Sequence, residues 1–312
     1  MLYWILFLAF IGVMLAIDLG VFHRKNDTVS VSKALKWTFA WIAMAMLFNV
    51  VVYFLYDHEI LLGPNGAVEG SEAALEFFTG YIIEKSLSLD NIFVMSAIFA
   101  YFKIPNKFQH HVLFLGVLGA IVLRGIFILG GVALVNNFSW IMYVFGFILL
   151  VSAVKMFFSS SGDFGDDSME DNVIVKIARS FLPMTSTLNG KFLVKENGRL
   201  FFTPLFVALI VIELSDVLFA VDSIPAIFGI TRDPFIVYTS NIMALLGLRH
   251  LYFALAAMLV KFDKLKYAMS LVLGFIGVKM MAAEFYEIST VFSLSVISTL
   301  LACGIIASVI KK

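Results

Sequence analysis

The chain has 312 residues, 61% of them hydrophobic and 14% charged, with a mean hydropathy of +0.98 and 22 basic against 22 acidic side chains. Soluble domains are near half apolar and a quarter charged, so this composition describes an integral membrane protein and argues against a nucleic-acid-binding domain. The one cysteine, Cys303, lies in an apolar run, which excludes a disulfide framework and a thiolate metal cluster.

The N-terminal run Leu2–Phe22 has no basic leader and no small-residue cleavage site, so it reads as a first spanning helix and not as a removable signal. In all, nine stretches are long enough to cross a hydrocarbon core of about 30 Å. They fall at Leu2–Phe22, Leu35–Tyr56, Ala73–Tyr101, Val112–Val135, Trp140–Phe158, Phe202–Phe228, Ile236–Val260, Tyr267–Ala283 and Val291–Ile310. The expected fold is therefore an all-α membrane protein of about nine transmembrane helices.

Basic residues mark alternate connections: Arg24, Lys25, Lys33 and Lys36; Lys103 and Lys107; Lys176, Arg179, Lys191, Lys195 and Arg199; Lys261, Lys264 and Lys266; and the terminal Lys311 and Lys312. The other connections carry Arg232 and acids such as Asp57, Glu59, Glu69, Glu72, Glu284 and Glu287. The positive-inside rule then puts the N-terminus outside and the C-terminus in the cytoplasm. The long connection Ser159–Arg199 is expected to be cytoplasmic. It opens with a polar acidic linker, followed by a short interfacial helix over Asn172–Leu182 and a hairpin over Phe192–Phe202 turning at Asn197-Gly198.

Spans three to five and six to eight repeat one pattern. Glu84-x5-Asp90-Asn91 matches Asp216-x5-Asp222-Ser223, and in each copy an arginine follows (Arg124, Arg249) and then a lysine (Lys155, Lys279). An odd number of spans separates the copies, so the second is inverted, an architecture that transporters use with the substrate site near the midplane. The expected units are two N-terminal helices (1–72), a three-helix repeat (73–158), a cytoplasmic loop (159–201), the inverted repeat (202–283) and a C-terminal helix (284–312).

Val211–Phe228 is the most informative stretch. It holds Glu213, Asp216 and Asp222 in an apolar run, and each mid-membrane carboxylate costs about 2.5–3.5 kcal/mol to insert. Such a cluster is by default a functional site. Helical rise separates each acid pair by about 9 Å along its span. Inversion then predicts a ladder with Glu84 outward, Asp90 and Asp222 central, and Asp216 and Glu213 inward. Pro225 lacks an N–H and is expected to break the sixth span, freeing the Val221 carbonyl beside Asp222.

The ligands on offer are carboxylates, the Asn91 amide and the hydroxyls of Ser86, Ser88, Ser215 and Ser223. Oxygen-only ligation favours hard cations such as Mg²⁺, Ca²⁺ and Mn²⁺. Closely paired carboxylates also compete for protons, which makes proton exchange a natural coupling. Arg124 and Arg249 are expected to be counter-ions to these carboxylates. Lys155 and Lys279 sit near span ends and are expected to snorkel, and Lys85 to reach outward. Asp18 and Asn241 are secondary site candidates; His110, His111 and His250 read as interfacial or packing residues.

EKSLSLDNIFV (from Glu84), VIELSDVLFAVDSIPAIF (from Val211) and AIDLGVFHR (from Ala16) closely resemble the TerC family. The resemblance runs from the first span to about Ala283, and the long cytoplasmic insertion is similar to a bacterial branch responding to alkaline or metal stress. It implies a multispanning inner-membrane protein related to the lysine-exporter superfamily, with manganese export as its activity. It carries the family's acidic positions onto Glu84, Asp90, Glu213, Asp216 and Asp222. A tellurium-resistance label also attaches to the family, but a tellurite site should show mid-membrane cations without excess acid.

The expected function is therefore a secondary exporter of Mn²⁺ exchanging against protons, with the lipid bilayer and a divalent cation as partners and no resident cofactor. A membrane assembly or stress-complex subunit with structural charges is the alternative, and an amino-acid exporter a third. No nucleophile with a positioned base and no phosphate-binding glycine loop argues for an enzyme.

Overall fold

A computed structural model describes residues 2–22, 31–64, 66–138, 140–158, 185, 190–196, 199–255, 264–282, 285–286 and 288–310. Most of the Ser159–Arg199 connection, including the expected helix over Asn172–Leu182, lies outside the described residues, as do Arg24, Lys25, Lys261, Glu284, Glu287, Lys311 and Lys312.

The described chain is mostly helical. Five helices precede the long connection: α1 (Leu2–Phe22), α2 (Val31–Asp57), α3 (Gly70–Tyr101), α4 (Asn106–Asn137) and α5 (Ile141–Phe158). A hairpin of β1 (Leu193–Glu196) and β2 (Arg199–Phe202) follows. Then come α6 (Pro204–Phe228), α7 (Pro234–Leu245), α8 (Leu248–Leu255), α9 (Leu265–Ala282) and α10 (Thr290–Ile310). Among the described residues, α2, α4, α5, α6 and α10 contain stretches long and apolar enough to cross a membrane, and α1 adds a shorter apolar segment. Their outward faces are apolar too, with Phe39, Leu47 and Phe147 all more than half exposed, as a lipid solvent requires.

The hairpin forms as the Asn197-Gly198 signal predicts. Its strands are antiparallel, with Leu193 opposite Phe202 and Glu196 opposite Arg199; Asn197 and Gly198 themselves lie outside the described residues.

Two expectations about breaks are corrected. The sixth span is one uninterrupted helix, α6, with Pro225 inside its last turn. Proline's fixed φ is helical, so at this position it removes one hydrogen bond without stopping the helix. The bond it removes is the one the Val221 carbonyl would accept, so that oxygen is freed within a continuous helix and not by a break. The break falls instead in the seventh span, Ile236–Val260, which divides at Leu246-Gly247 into α7 and α8. Gly247 has φ +80°, and a β-carbon there would meet the Trp41 ring at 2.7 Å. Only glycine takes both the left-handed backbone and the close approach at no cost. Asp233 caps the N-terminus of α7, accepting from the Phe235 and Ile236 N–H groups at 2.8 and 3.2 Å, with Pro234 at the first helical position.

Packing puts α3 at the centre, against α2, α6 and α7, while α4 packs on α6 and α7. The most extensive helix pair is α5 with α9. There Gly146 and Gly277 face each other so closely that a β-carbon on either would meet the other's carbonyl oxygen at about 3 Å. Small residues of this kind let helix backbones approach where no hydrophobic force separates protein from lipid. The arrangement brings the charged residues of α3, α4 and α6 together with the polar Asn241 of α7.

Candidate functional site

Arg124, from the middle of α4, is 1% exposed and is the hub of the buried polar groups. Its Nε and Nη2 donate to Asp216 Oδ2 and Oδ1 of α6 at 3.0 and 2.7 Å. Its Nη1 donates to Glu84 of α3, to Asn241 Oδ1 of α7 at 3.1 Å, and more weakly to Ser223 Oγ of α6 at 3.4 Å. Further bonds close the cluster: Asn241 Nδ2 donates to Glu84 Oε2 at 3.0 Å and Asn91 Nδ2 donates to Asp216 Oδ1 at 3.2 Å, while the Ser223 hydroxyl lies near Glu84. Four helices thus meet on one guanidinium, whose planar fork suits carboxylate geometry. Two carboxylates against one cation leave this contact set with one excess negative charge.

Several oxygens here have no partner. Asn91 Oδ1, Ser88 Oγ and Glu213 Oε2 are buried without a hydrogen bond among the described residues. Asn91, Ser215 and Asp216 line a cavity of about 10 Å³ closed by Ile212 and Phe219. That is roughly the space of one water molecule. Glu213 lies flat on the α4 backbone, where a β-carbon at Gly119 would overlap its carboxylate. Buried acceptors without donors are uncommon in native proteins and ask for an explanation; a bound cation supplies one.

The sequence-selected residues divide among several places. Glu84, Asn91, Asp216, Ser223, Asn241 and Arg124 come together. The ladder is corrected here: the carboxyl groups of Glu84 and Asp216 converge on one cation and are not held apart by a central pair. Asp222 does not join them; it accepts from Ser152 Oγ of α5 at 2.7 Å, with exposed Lys155 close enough to attract it. Asp90 lies on α3, but its side chain falls outside the described residues. Among the described residues, no three Asp, Glu, His or Cys side chains form a ready-made metal cage.

Arg249 is a second correction. Its Nη2 contacts Asp18 Oδ1 at 2.8 Å, away from the repeat's own acids. His250 Nε2 is 3.6 Å from the same Asp18 oxygen and its ring stacks on Trp37. Lys85 does not reach outward; its Nζ donates to the Ala244 and Leu246 carbonyls at 3.0 and 3.5 Å, where α7 ends. Lys279 does not snorkel either. It is 8% exposed and donates to Ser293 Oγ of α10 at 3.0 Å. His110 packs on Phe253 with ring centroids 4.1 Å apart, and His111 is exposed, as packing and interfacial roles require.

One half-buried acid escaped the sequence reading. Glu76 of α3 bonds Thr231 and is attracted to Lys279, forming a second polar patch with Asp233 and Tyr56, whose hydroxyl donates to Asp233 Oδ2 at 2.8 Å. Its signal was present: Glu76 lies inside the third span, eight residues before Glu84, and a carboxylate in a spanning segment is a site candidate by default.

Comparison with known proteins follows this geometry. The model of a family described as "Integral membrane protein TerC family" matches residues 69–312. A Myxococcus xanthus protein named "Uncharacterized membrane protein STKORF319" is 46% identical over 310 residues, covering 99% of this chain and 92% of that protein. A Rickettsia felis protein named only as a membrane protein is 44% identical over 310 residues, covering 99% and 98%. The Escherichia coli K12 protein named "Putative membrane-bound redox modulator Alx" is 44% identical over 298 residues, covering 95% and 90%. No solved structure matches the chain.

Proposed function

Because the chain belongs to the TerC family of integral membrane proteins, we propose that it is a secondary transporter exporting Mn²⁺ from the cytoplasm in exchange for protons. The observation that carries this reading is the Glu84–Arg124–Asp216 cluster, a buried carboxylate pair with excess negative charge beside unpartnered oxygens of Asn91, Ser88 and Glu213. All of these ligands are oxygen, and hard divalent cations prefer oxygen. Glu84, Asp216 and Asn91 would hold the ion, Glu213 would receive it, and Asp222 with Ser152 would be a separate station.

The transporter architecture has its own support. In the proposed inverted repeat Glu84 corresponds to Asp216 and Asn91 to Ser223, so the approach of Asn91 to Asp216 has its mate in the approach of Ser223 to Glu84. The packing of α3 on α7 is likewise the mate of α6 on α4. Nine spans, with α7 and α8 as halves of one, agree with the alternation of basic loops. On this reading the N-terminus is outside and the C-terminus in the cytoplasm of an inner membrane. The name given to the Escherichia coli relative suggests a redox effect. These 312 residues contain one cysteine and no dithiol, so such an effect would follow from ion balance in this chain.

Cells overproducing the protein and preloaded with Mn²⁺ test the reading. Faster efflux than in control cells is expected, and its loss in Asp216→Ala at equal membrane abundance. A second reading, a structural subunit of a membrane complex, is favoured by the full pairing of Arg124 within the chain. It expects an Arg124→Glu, Glu84→Arg exchange to preserve function, whereas an exporter loses it.

A further inference from the structure

Arg124 and a divalent cation need the same oxygens. The guanidinium takes both oxygens of Asp216 and one of Glu84, and Asn241 holds the other Glu84 oxygen. A hard divalent ion requires six or more oxygen ligands at close range, and these carboxylates cannot supply them while bonded to Arg124. Charge gives the same answer. Two carboxylates with Arg124 sum to minus one, and with a divalent ion alone they sum to zero. With both cations present, like charges would meet in a low-dielectric interior, where repulsion is strong.

We infer that Arg124 is a built-in competitor for the transported ion: it occupies the Glu84–Asp216 pair whenever the ion is absent, and its return releases the ion. This rests on the proposed transport of a divalent cation. It assigns Arg124 a positioning role in setting affinity and release. Its partners are suited to that. Ser223 and Asn241 hold the guanidinium on the side of α6 and α7, and the water-sized cavity lies on the other side, against Asp216 and Asn91. Lys85 is not an equivalent competitor, since its ammonium is bonded to the carbonyls ending α7. Arg249 is held at Asp18.

The prediction runs against ordinary loss of function: removing the arginine should tighten ion binding while stopping turnover. Mn²⁺ binding to purified full-length protein is read by the electron paramagnetic resonance signal of the free ion, and flux is read in liposomes. Arg124→Met should bind Mn²⁺ at least about tenfold more tightly than wild type, as expected when one strong charge-assisted contact no longer competes, and should move it far more slowly. Arg124→Lys keeps the charge but not the bidentate fork, so it should bind a few-fold more tightly and retain part of the flux. It also carries the test if the methionine variant does not fold. Wild-type affinity in Arg124→Lys, or no tightening in a folded Arg124→Met, overturns the competitor role and leaves the transport reading standing. Mn²⁺ neither bound nor moved by wild type overturns both.

Discussion

Arg124 and Asp216 are joined by two parallel hydrogen bonds, Nε to Oδ2 at 3.0 Å and Nη2 to Oδ1 at 2.7 Å, across the contact of α4 with α6. Both side chains are almost wholly buried. The first expected outcome follows from this pair. Asp216→Ala strands a buried guanidinium with Glu84 as its one anionic partner among the described residues, and breaking a buried pair costs about 3–5 kcal/mol. Asp216→Asn keeps one acceptor oxygen and should cost less. Thermal unfolding of both variants in detergent, compared with wild type, measures the order.

Gly247 is the joint between α7 and α8. Gly247→Ala must place a β-carbon against Trp41 in a left-handed backbone, so a loss of about 1–3 kcal/mol is expected. The same substitution at Gly130, where a β-carbon meets nothing within 4 Å, should be neutral or slightly stabilising. Melting temperatures of the two variants check the contrast.

Gly119 makes a different case, because its neighbour is the end of a flexible side chain. Gly119→Ala should displace the Glu213 carboxylate with little change in stability and reduce ion flux. Unaltered flux would remove Glu213 from the ion's route.

Asp233 lies in the turn between α6 and α7, outside the spanning segments. Burial raises its carboxyl above the ordinary value of 3.8, opposed by hydrogen bonds from Tyr56 and from the Ile236 and Phe235 N–H groups. A raised acid binds its proton more tightly folded than unfolded, so its ionisation costs stability as pH climbs through the folded value. Relative to Asp233→Asn, which still caps α7 but cannot ionise, wild type should therefore lose stability as the pH is raised from about 4 to a more alkaline value. Asp233→Ala should lose about 1–2 kcal/mol with the cap itself. Paired melting curves at the two pH values separate these effects.

The acids, the helices that carry them and the hairpin were legible because each is a local signal: charges in apolar runs, span length, and Asn-Gly between strand-like residues. What was not legible depends on contacts between helices. Arg124 and Arg249 look equivalent in the repeat, yet one reaches Glu84 and Asp216 and the other Asp18, a partner set by how α8 lies against α1 and α2. Lys85 reads as reaching outward and Lys279 as snorkelling because the sequence does not display the Ala244 carbonyl or Ser293 that receive them. The helix break was assigned to Pro225, a strong local signal. Gly247 breaks the neighbouring span because Trp41 presses on it from α2. Glu76 escaped the sequence reading although it too is a carboxylate inside the third span.

The most direct measurement is Mn²⁺ entry into liposomes containing the purified chain, followed by quenching of a trapped fluorescent chelator, with Mg²⁺, Ca²⁺ and Zn²⁺ compared across a pH gradient. Wild type should move Mn²⁺ faster than protein-free liposomes and faster with the gradient than without, while Glu84→Gln should fall to the protein-free rate. Wild-type liposomes that take up no more Mn²⁺ than protein-free ones, or a Glu84→Gln variant that transports at the wild-type rate, would contradict a carboxylate route for the ion.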